Sequence, residues 1–271
     1  MYDQQCVKFL RWSLPQLNYK WQGFRKVRRQ VCRRLKRRLE ELSISNISGY
    51  KDYLSKDQKE WVILDSLLYI SISRFYRDRE IFDLLKNEIL LLLAQRALEE
   101  DREVRCWSAG CCSGEEAYSL QIMWIQAILP RLKSQLRLHV IASDKTSSLL
   151  ERAKKGIYPE GSVRDLPQEF IQAAFLKTDN GYEIKNYLKT DIEFIEQDIR
   201  HQCPEGIFDL ILCRNLAFTY FEEDLQRAII GEVIEKLEPN GFFIVGSQES
   251  IPSGIPHLSP YWKRSIYRKI E

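Results

Sequence analysis

Residues 104–119 constrain this chain more than any other stretch. An apolar run, Val104 to Trp107, enters a bend of small residues, Ser108-Ala109-Gly110-Cys111-Cys112-Ser113-Gly114, and a helical pattern leaves it from about Glu115. A strand that turns through small residues into a helix is how a parallel α/β sheet opens a pocket at its carboxyl edge. Small side chains let the backbone approach a ligand closely. Glu115 and Glu116 stand at the helix start, where the helix dipole favours negative charge. Phosphate-binding loops use the N–H groups of that position for an anion, and two carboxylates would repel one. Neither the G-x-G-x-x-G spacing nor a G-K-[ST] ending is present. The pattern predicts a ligand that is nucleoside-like, lacks phosphate and carries positive charge.

The chain beyond this bend keeps alternating. Strands are expected at Val104–Trp107, Leu138–Ala142, Ile192–Ile195, Phe208–Cys213, Phe242–Gly246 and Ser265–Arg268. Helices are expected between them: Glu115–Leu129, stopped by Pro130; Ser147–Lys155, ended near Gly156; and Glu222–Leu237, ended by Glu-Pro-Asn-Gly at 238–241. This predicts an α/β fold, a doubly wound, mostly parallel sheet covered on both faces. Residues 160–190 interrupt the pattern with Pro, Gly and short apolar pieces and read as a small inserted subdomain. Residues 1–85 read as helical, with turn signals from Ser43 to Gly49, so the expected domains are 1–85 and 86–271.

Composition excludes several classes. Apolar content of 44% and charged content of 29% are ordinary for a globular chain. No apolar run approaches the roughly 20 residues that span a bilayer, so no membrane insertion is expected, and the N-terminus lacks the layout of a signal peptide. Seven cysteines is an odd number, without C-x-x-C pairs or a Cys/His cluster of zinc spacing. Reduced thiols, a cytoplasmic location and no metal are the expectation.

The net charge of +3 is unevenly spread. Arg25 to Arg38 holds nine basic residues and no acidic one; without them the chain has 32 basic against 38 acidic residues. Val27, Val31, Leu35 and Leu39 recur at i+4 spacing, so the run reads as an amphipathic helix with a basic face. Such a face attracts an acidic partner. Nucleic acid or anionic lipid is an alternative, and the acidic remainder argues against a broad nucleic-acid surface.

Three polar residues follow expected strands. Asp144 ends Ala142-Ser143-Asp144, where a carboxylate accepts both hydroxyls of a ribose or caps the next helix. Asp198 stands where it would accept from an adenine amino group or serve a surface turn. Asn215 can donate and accept at the far end of the ligand or at the acceptor group, or serve as a turn residue. A sulfonium with an amino group and an adenosine, S-adenosyl-L-methionine, fits the charge and shape these positions require.

These residues carry a resemblance. The chain resembles the CheR-type methyltransferases, which methylate glutamates of bacterial chemoreceptors, and the likeness covers nearly its whole length. Arg34-Leu35-Lys36-Arg37-Arg38-Leu39 with Ser48-Gly49-Tyr50 to Tyr53-Leu54 resembles the family's basic N-terminal helices. Ser73-Arg74-Phe75-Tyr76-Arg77-Asp78 resembles its Thr-x-Phe-Phe-Arg-[Asp/Glu] segment, and Ser108-Ala109-Gly110 through Ser119 its cofactor loop. Lys155-Gly156-Ile157-Tyr158 and Cys213-Arg214-Asn215 match as well. The resemblance implies a Rossmann-like, seven-stranded class I methyltransferase domain behind an N-terminal all-helical domain. It implies S-adenosyl-L-methionine as cofactor, S-adenosyl-L-homocysteine as product, and cofactor contacts at Ser71, Ser73, Arg77, Ala109, Gly110, Glu115, Asp144, Asp198, Ile199, Asn215 and Leu216. Ser71 replaces the family's Asn, Ser73 its Thr and Asp198 an Asn. Arg214-Asn215-Leu216-Ala217-Phe218-Thr219-Tyr220-Phe221 carries one residue more than the family's motif, and Gly246-Ser247-Gln248-Glu249 stands for Gly-His-Ser-Glu. The acceptor half departs further than the cofactor half, as in a divergent subfamily.

A glutamate acceptor needs little. Its carboxyl, with a reference pKa of about 4.3, is ionised at neutral pH and needs positioning and partial desolvation rather than a general base. Arg77 is expected to orient that carboxylate with parallel donors, and Tyr220 to hydrogen-bond beside it; these two are the candidate catalytic residues. The expected partner is an acidic protein docked on residues 25–38. A small-molecule or nucleic-acid acceptor, and a cofactor-binding regulator without turnover, stay open as alternatives.

Overall fold

The computed structural model describes residues 3–132 and 135–270. The chain divides into two compact units, Met1–Ser71 with Thr219–Leu225, and Ile72–Phe218 with Gln226–Glu271.

The first unit is helical. Helices Asp3–Ser13, Arg28–Glu41, Ile47–Lys56 and Gln58–Leu68 each bury one stripe, Val31, Leu35 and Leu39 being that of the second. The basic helix starts at Arg28, so Arg25 and Lys26 precede it. Asn46 caps its helix by accepting the Gly49 N–H at 3.0 Å, which satisfies one orphan donor of the first turn. Glu60, 1% exposed, takes two guanidinium N–H groups of Arg38 at 3.0 and 2.7 Å and the Tyr50 hydroxyl at 2.7 Å. Cys6 and Cys32 form a disulfide, with Cα atoms 5.9 Å apart. This corrects the expectation of reduced thiols throughout: the inner face of Asp3–Ser13 packs on Arg28–Glu41, and helix packing brings the two side chains together. Cys106, Cys111, Cys112, Cys203 and Cys213 are free thiols.

The second unit is built on β1 (Val104–Ala109), β2 (Leu138–Asp144), β3 (Ile157–Tyr158), β4 (Phe175–Thr178), β5 (Gly181–Ile184), β6 (Ile192–Glu196), β7 (Phe208–Leu212), β8 (Leu237–Ile244), β9 (Leu258–Trp262) and β10 (Ile266–Lys269). Seven strands form one sheet in the order β6-β2-β1-β7-β8-β10-β9. The first five run parallel, and β10 is antiparallel to both its neighbours. The chain winds outward from β1 to β6, then returns to the other side of β1 as β7. Such a reversal leaves a crevice at the carboxyl ends of the two central strands. β3, β5 and β4 form a separate antiparallel sheet.

Residues 72–85 belong to this unit. Phe75, Tyr76, Ile81, Phe82 and Leu85 are wholly or almost wholly buried in its core beside Val104, Tyr118 and Leu212. Pro130 does not stop its helix: Glu115–Met123 widens into a π-helical turn, Trp124–Ile128, and continues as Leu129–Leu132. The wider turn accommodates a residue with no N–H and a bulky ring. Helix Ser147–Lys155 ends on Gly156 in the left-handed conformation, φ 71°. Among the described residues no helix is long and apolar enough to cross a membrane.

Candidate functional site

The bend after β1 turns back through Gly110, φ 73°, whose N–H and that of Cys111 both donate to Ser143 O on β2, at 2.8 and 2.9 Å. A Cβ on Gly110 would lie 2.4 Å from Leu216 Cδ2. The loops after β1 and β7 therefore meet at the crevice, which brings Ala109, Gly110, Asn215 and Leu216 together. Gly114, φ 86°, hands the chain to helix Glu115–Met123.

Two buried carboxylates face this bend. Asp144, 2% exposed at the end of β2, accepts the Cys112 N–H at 2.9 Å and the Thr146 N–H at 2.9 Å. It thus does the turn-holding work of a helix-start aspartate, and a carboxylate offers about four lone-pair sites in all. Glu115, also 2% exposed, accepts from the Ser113 hydroxyl at 2.9 and 3.1 Å and from Ser73. Burial pushes its carboxyl above the ordinary range, against the donors that would lower it. Glu116 is different. It takes Arg214 Nη1 at 2.8 Å and the Ser108 hydroxyl at 2.7 Å, so its charge is matched within the protein. Glu115 has no basic side chain hydrogen-bonded to it among the described residues, Arg152 acting on it only through space; with Asp144 it makes an acidic pocket that suits a cationic nucleoside better than a phosphate.

The remaining candidates divide by unit. Ser73, Arg77, Asp198, Ile199, Asn215 and Leu216 lie in the second unit, and Ser71 and Tyr220 in the first. Arg77 is part-buried, and its guanidinium donates to Ile72 O at 2.8 Å. Both oxygens of Asp198 receive Arg200 Nε at 3.0 Å. Burial works to raise this carboxyl, and Arg200 with Lys145 overcomes it, leaving it below the usual range. Asn215 stands at φ 57° with its N–H on Glu249 Oε2 at 2.6 Å. Tyr220 is held within the helical unit: its carbonyl accepts the Lys20 N–H at 2.8 Å and its ring lies 5.0 Å from that of Phe24. Gly23 permits this, since a Cβ there would sit 2.2 Å from Thr219 O.

Arg214, Glu249 and Ser119 were not singled out as functional by the sequence. Glu249 Oε2 accepts the N–H groups of Asn215 and Gly246 at 2.6 and 2.7 Å, joining the ends of β7 and β8. The available signal was that each lies within a motif of the resemblance: Ser119 at the end of the loop after β1, Arg214 beside Asn215, and Glu249 in Gly246-Ser247-Gln248-Glu249. Cys111 and Cys112 are buried, and burial pushes both thiols up, that of Cys112 to about 12. They are packing groups and not nucleophiles.

Comparison with known proteins decides the family. The sequence profile described as CheR methyltransferase, SAM binding domain, matches residues 71–265. The chain belongs to the CheR methyltransferase family. A chemotaxis protein methyltransferase of Borreliella burgdorferi is 29% identical over 225 residues, covering 80% of this chain and 78% of that one. One of Listeria monocytogenes is 31% identical over 206 residues, covering 74% and 75%. Among solved structures, the N-methyltransferase NodS of Bradyrhizobium japonicum in complex with S-adenosyl-L-homocysteine is 13% identical, covers 72% of this chain and 88% of that one, and has a TM-score of 0.40, a likeness too distant to carry an argument. As a CheR methyltransferase the chain is an S-adenosyl-L-methionine-dependent enzyme, and the buried acidic cradle fits that cofactor's charge.

Proposed function

We propose that this CheR methyltransferase modifies the side-chain carboxylate of a glutamate in an acidic, helical protein. The single observation that supports this acceptor is the turn bearing Arg77, whose carbonyl is tied through Arg214 to Glu116 at the start of the helix that also carries Glu115. A guanidinium's parallel donors match a carboxylate.

S-adenosyl-L-methionine, when bound, supplies an electrophilic methyl group on a positively charged sulfur. Asp144 would hold its ribose hydroxyls, Glu115 its cationic end, Asp198 and Ile199 its adenine, and Asn215 and Leu216 its amino-acid end. Ser73 and Ala109 would complete the lining. Arg77 would orient the acceptor. No side chain has to remove a proton, because the acceptor is already ionised.

The acceptor docks on the basic helix. Of the nine basic residues at 25–38, Arg28, Arg34 and Arg38 are tied to Asp3, to Leu67 O and Tyr69 O, and to Glu60 and Glu41, and Lys36 pairs at the surface with Glu40. Arg25, Lys26, Arg29, Arg33, Lys36 and Arg37 are exposed and form the attracting face. The same reading places the enzyme in the cytoplasm and carries over the chemotactic role named for its relatives.

Methyl-labelled cofactor tests this with an acidic helical peptide as acceptor. The expected product releases label as methanol in mild alkali, and Arg33→Glu with Arg37→Glu lowers the rate most at low salt. Alkali-stable label would indicate an amine acceptor. Cofactor binding without transfer to any carboxylate would indicate a regulator, and either result sinks the proposal.

A further inference from the structure

Arg77 lies between two non-glycine residues in the left-handed conformation, Tyr76 at φ 56° and Asp78 at φ 63°. Such backbone persists only where the surroundings over-determine it, and it concentrates at functional sites. Tyr76 is fixed by its own packing: its N–H donates to Ser119 Oγ at 3.1 Å, its hydroxyl to Asp83 Oδ1 at 3.0 Å, and its ring stacks on Phe82. The other half of the turn is held by Arg214, with Ser247 beside it on Asp78. Arg214 Nη2 donates to Arg77 O at 2.6 Å and to Asp78 Oδ2 at 2.8 Å.

That guanidinium is anchored from behind. Its side chain is 3% exposed, Nη1 is on Glu116 Oε2 at 2.8 Å, and its Cζ lies 5.0 Å from the centre of the Phe82 ring. Asp78 Oδ2 also accepts the Ser247 N–H at 3.3 Å from the loop after β8. Burial raises the Asp78 carboxyl, and Arg214 with Ser247 outweighs it, so the carboxylate stays ionised. One planar fork thus joins helix Glu115–Met123, the end of β7 and the peptide that carries the Arg77 side chain. A lysine is a point charge that cannot hold the three acceptors in one plane.

We infer that Arg214 is a positioning residue that aims Arg77 at the acceptor, acting through the Arg77 carbonyl and the Asp78 carboxylate. This rests on the reading of Arg77 given above. Full-length protein is tested as wild type, Arg214→Lys, Arg77→Lys and the double variant, with an acidic helical peptide as acceptor and S-adenosyl-L-homocysteine as the binding probe. Arg214→Lys is expected to lower kcat about 10- to 100-fold, the scale of a misplaced catalytic group. Its affinity for S-adenosyl-L-homocysteine is expected to stay within about threefold, and in the Arg77→Lys background it adds less than about twofold, the mark of residues that act as one unit. Asp78→Asn, which keeps the shape of the turn and weakens the pair, reproduces the kcat loss if Arg214→Lys folds poorly. Equal losses in both backgrounds, or a loss of S-adenosyl-L-homocysteine binding that matches the loss of kcat, overturn the positioning role alone. Unchanged turnover in Arg77→Lys overturns the reading of Arg77, and the inference falls with it.

Discussion

Gly110→Ala probes the meeting of the two loops that frame the crevice. Two effects add. The backbone at φ 73° penalises a side chain by about 1–2 kcal/mol. The new Cβ would lie 2.4 Å from Leu216 Cδ2, and turning Leu216 off its rotamer adds about 0.5–1.5 kcal/mol. The sum is about 1.5–3.5 kcal/mol, which for a domain of this size lowers Tm by about 3–14 °C. The cheap half of that strain sits in a flexible side chain, so it can be removed. Leu216→Ala in the Gly110→Ala background is expected to recover about 0.5–1.5 kcal/mol relative to Leu216→Ala alone, a coupling that a double-mutant cycle reads directly. Urea unfolding gives the stabilities and calorimetry with S-adenosyl-L-homocysteine gives the affinities. Strictly additive effects on stability would refute the argument, because they would mean that residues 110 and 216 do not touch.

Cofactor affinity should depend on pH through Glu115. Burial raises its carboxyl in the folded state, so folding retains a proton that the unfolded chain releases, and stability falls as pH rises from the ordinary carboxylate value to the folded one. A cationic ligand favours the ionised form, so affinity rises over the same window and protons are released on binding. Calorimetry in buffers of different ionisation enthalpy reads both, and a Glu115→Gln protein as pH-dependent as the wild type argues against the assignment. Arg38→Met leaves Glu60 buried with only Tyr50 as donor, for a loss of about 3–5 kcal/mol; Arg38→Met with Glu60→Leu should lose less than the single change, measured by urea midpoint. The Cys6–Cys32 disulfide, separated by 26 residues, contributes about 3–4 kcal/mol in the chain-entropy picture. Dithiothreitol should lower the Tm of the wild type to that of Cys6→Ser/Cys32→Ser and leave the variant unmoved.

The parallel half of the sheet was legible because each of its strands contains a short apolar run, and β1, β2, β7 and residues 242–244 of β8 are almost wholly buried; the Pro239-Asn240-Gly241 turn signal hid the first half of β8. β9 was not legible. Pro260 lies inside it, and proline argues against a strand unless that strand is an edge; β9 is the edge of the sheet. Residues 72–85 read as helical and fold with the sheet instead, since burial of Phe75, Tyr76 and Phe82 is a tertiary fact that periodicity does not carry. Pro130 misled for a similar reason, its π-helical turn leaving no trace in composition. At the site, the small-residue bend and Asp144 announced themselves by position after a strand. Glu116 stood beside Glu115 as an equal, and only Arg214, far along the chain, separates their roles.

The same long-range pairings explain why the crevice keeps its shape. Among the described residues, four non-glycine residues with positive φ gather around it: Tyr76, Asp78, Cys112 and Asn215. At about 1–2 kcal/mol each, they hold about 4–8 kcal/mol of backbone strain, comparable to the whole stability of an ordinary domain. Each is clamped from another element. Ser119 holds Tyr76, Arg214 holds Asp78, Asp144 holds Cys112, and Glu249 holds Asn215. Three of the four clamps are charged groups buried at least nine-tenths, a costly choice for stability alone. A charge met by backbone and side-chain partners of the opposite kind, donors for Asp144 and Glu249 and acceptors for Arg214, fixes direction as well as distance. On the proposed reading the acidic and basic residues of this edge serve two ends: Asp144 and Glu115 would meet the cofactor, while Arg214 and Glu249 hold the backbone of residues 77–78 and of Asn215. A ligand-facing role for Arg214 or Glu249 would need them to release partners at 2.6 to 2.8 Å, and nothing in the chemistry of methyl transfer to a carboxylate asks for that.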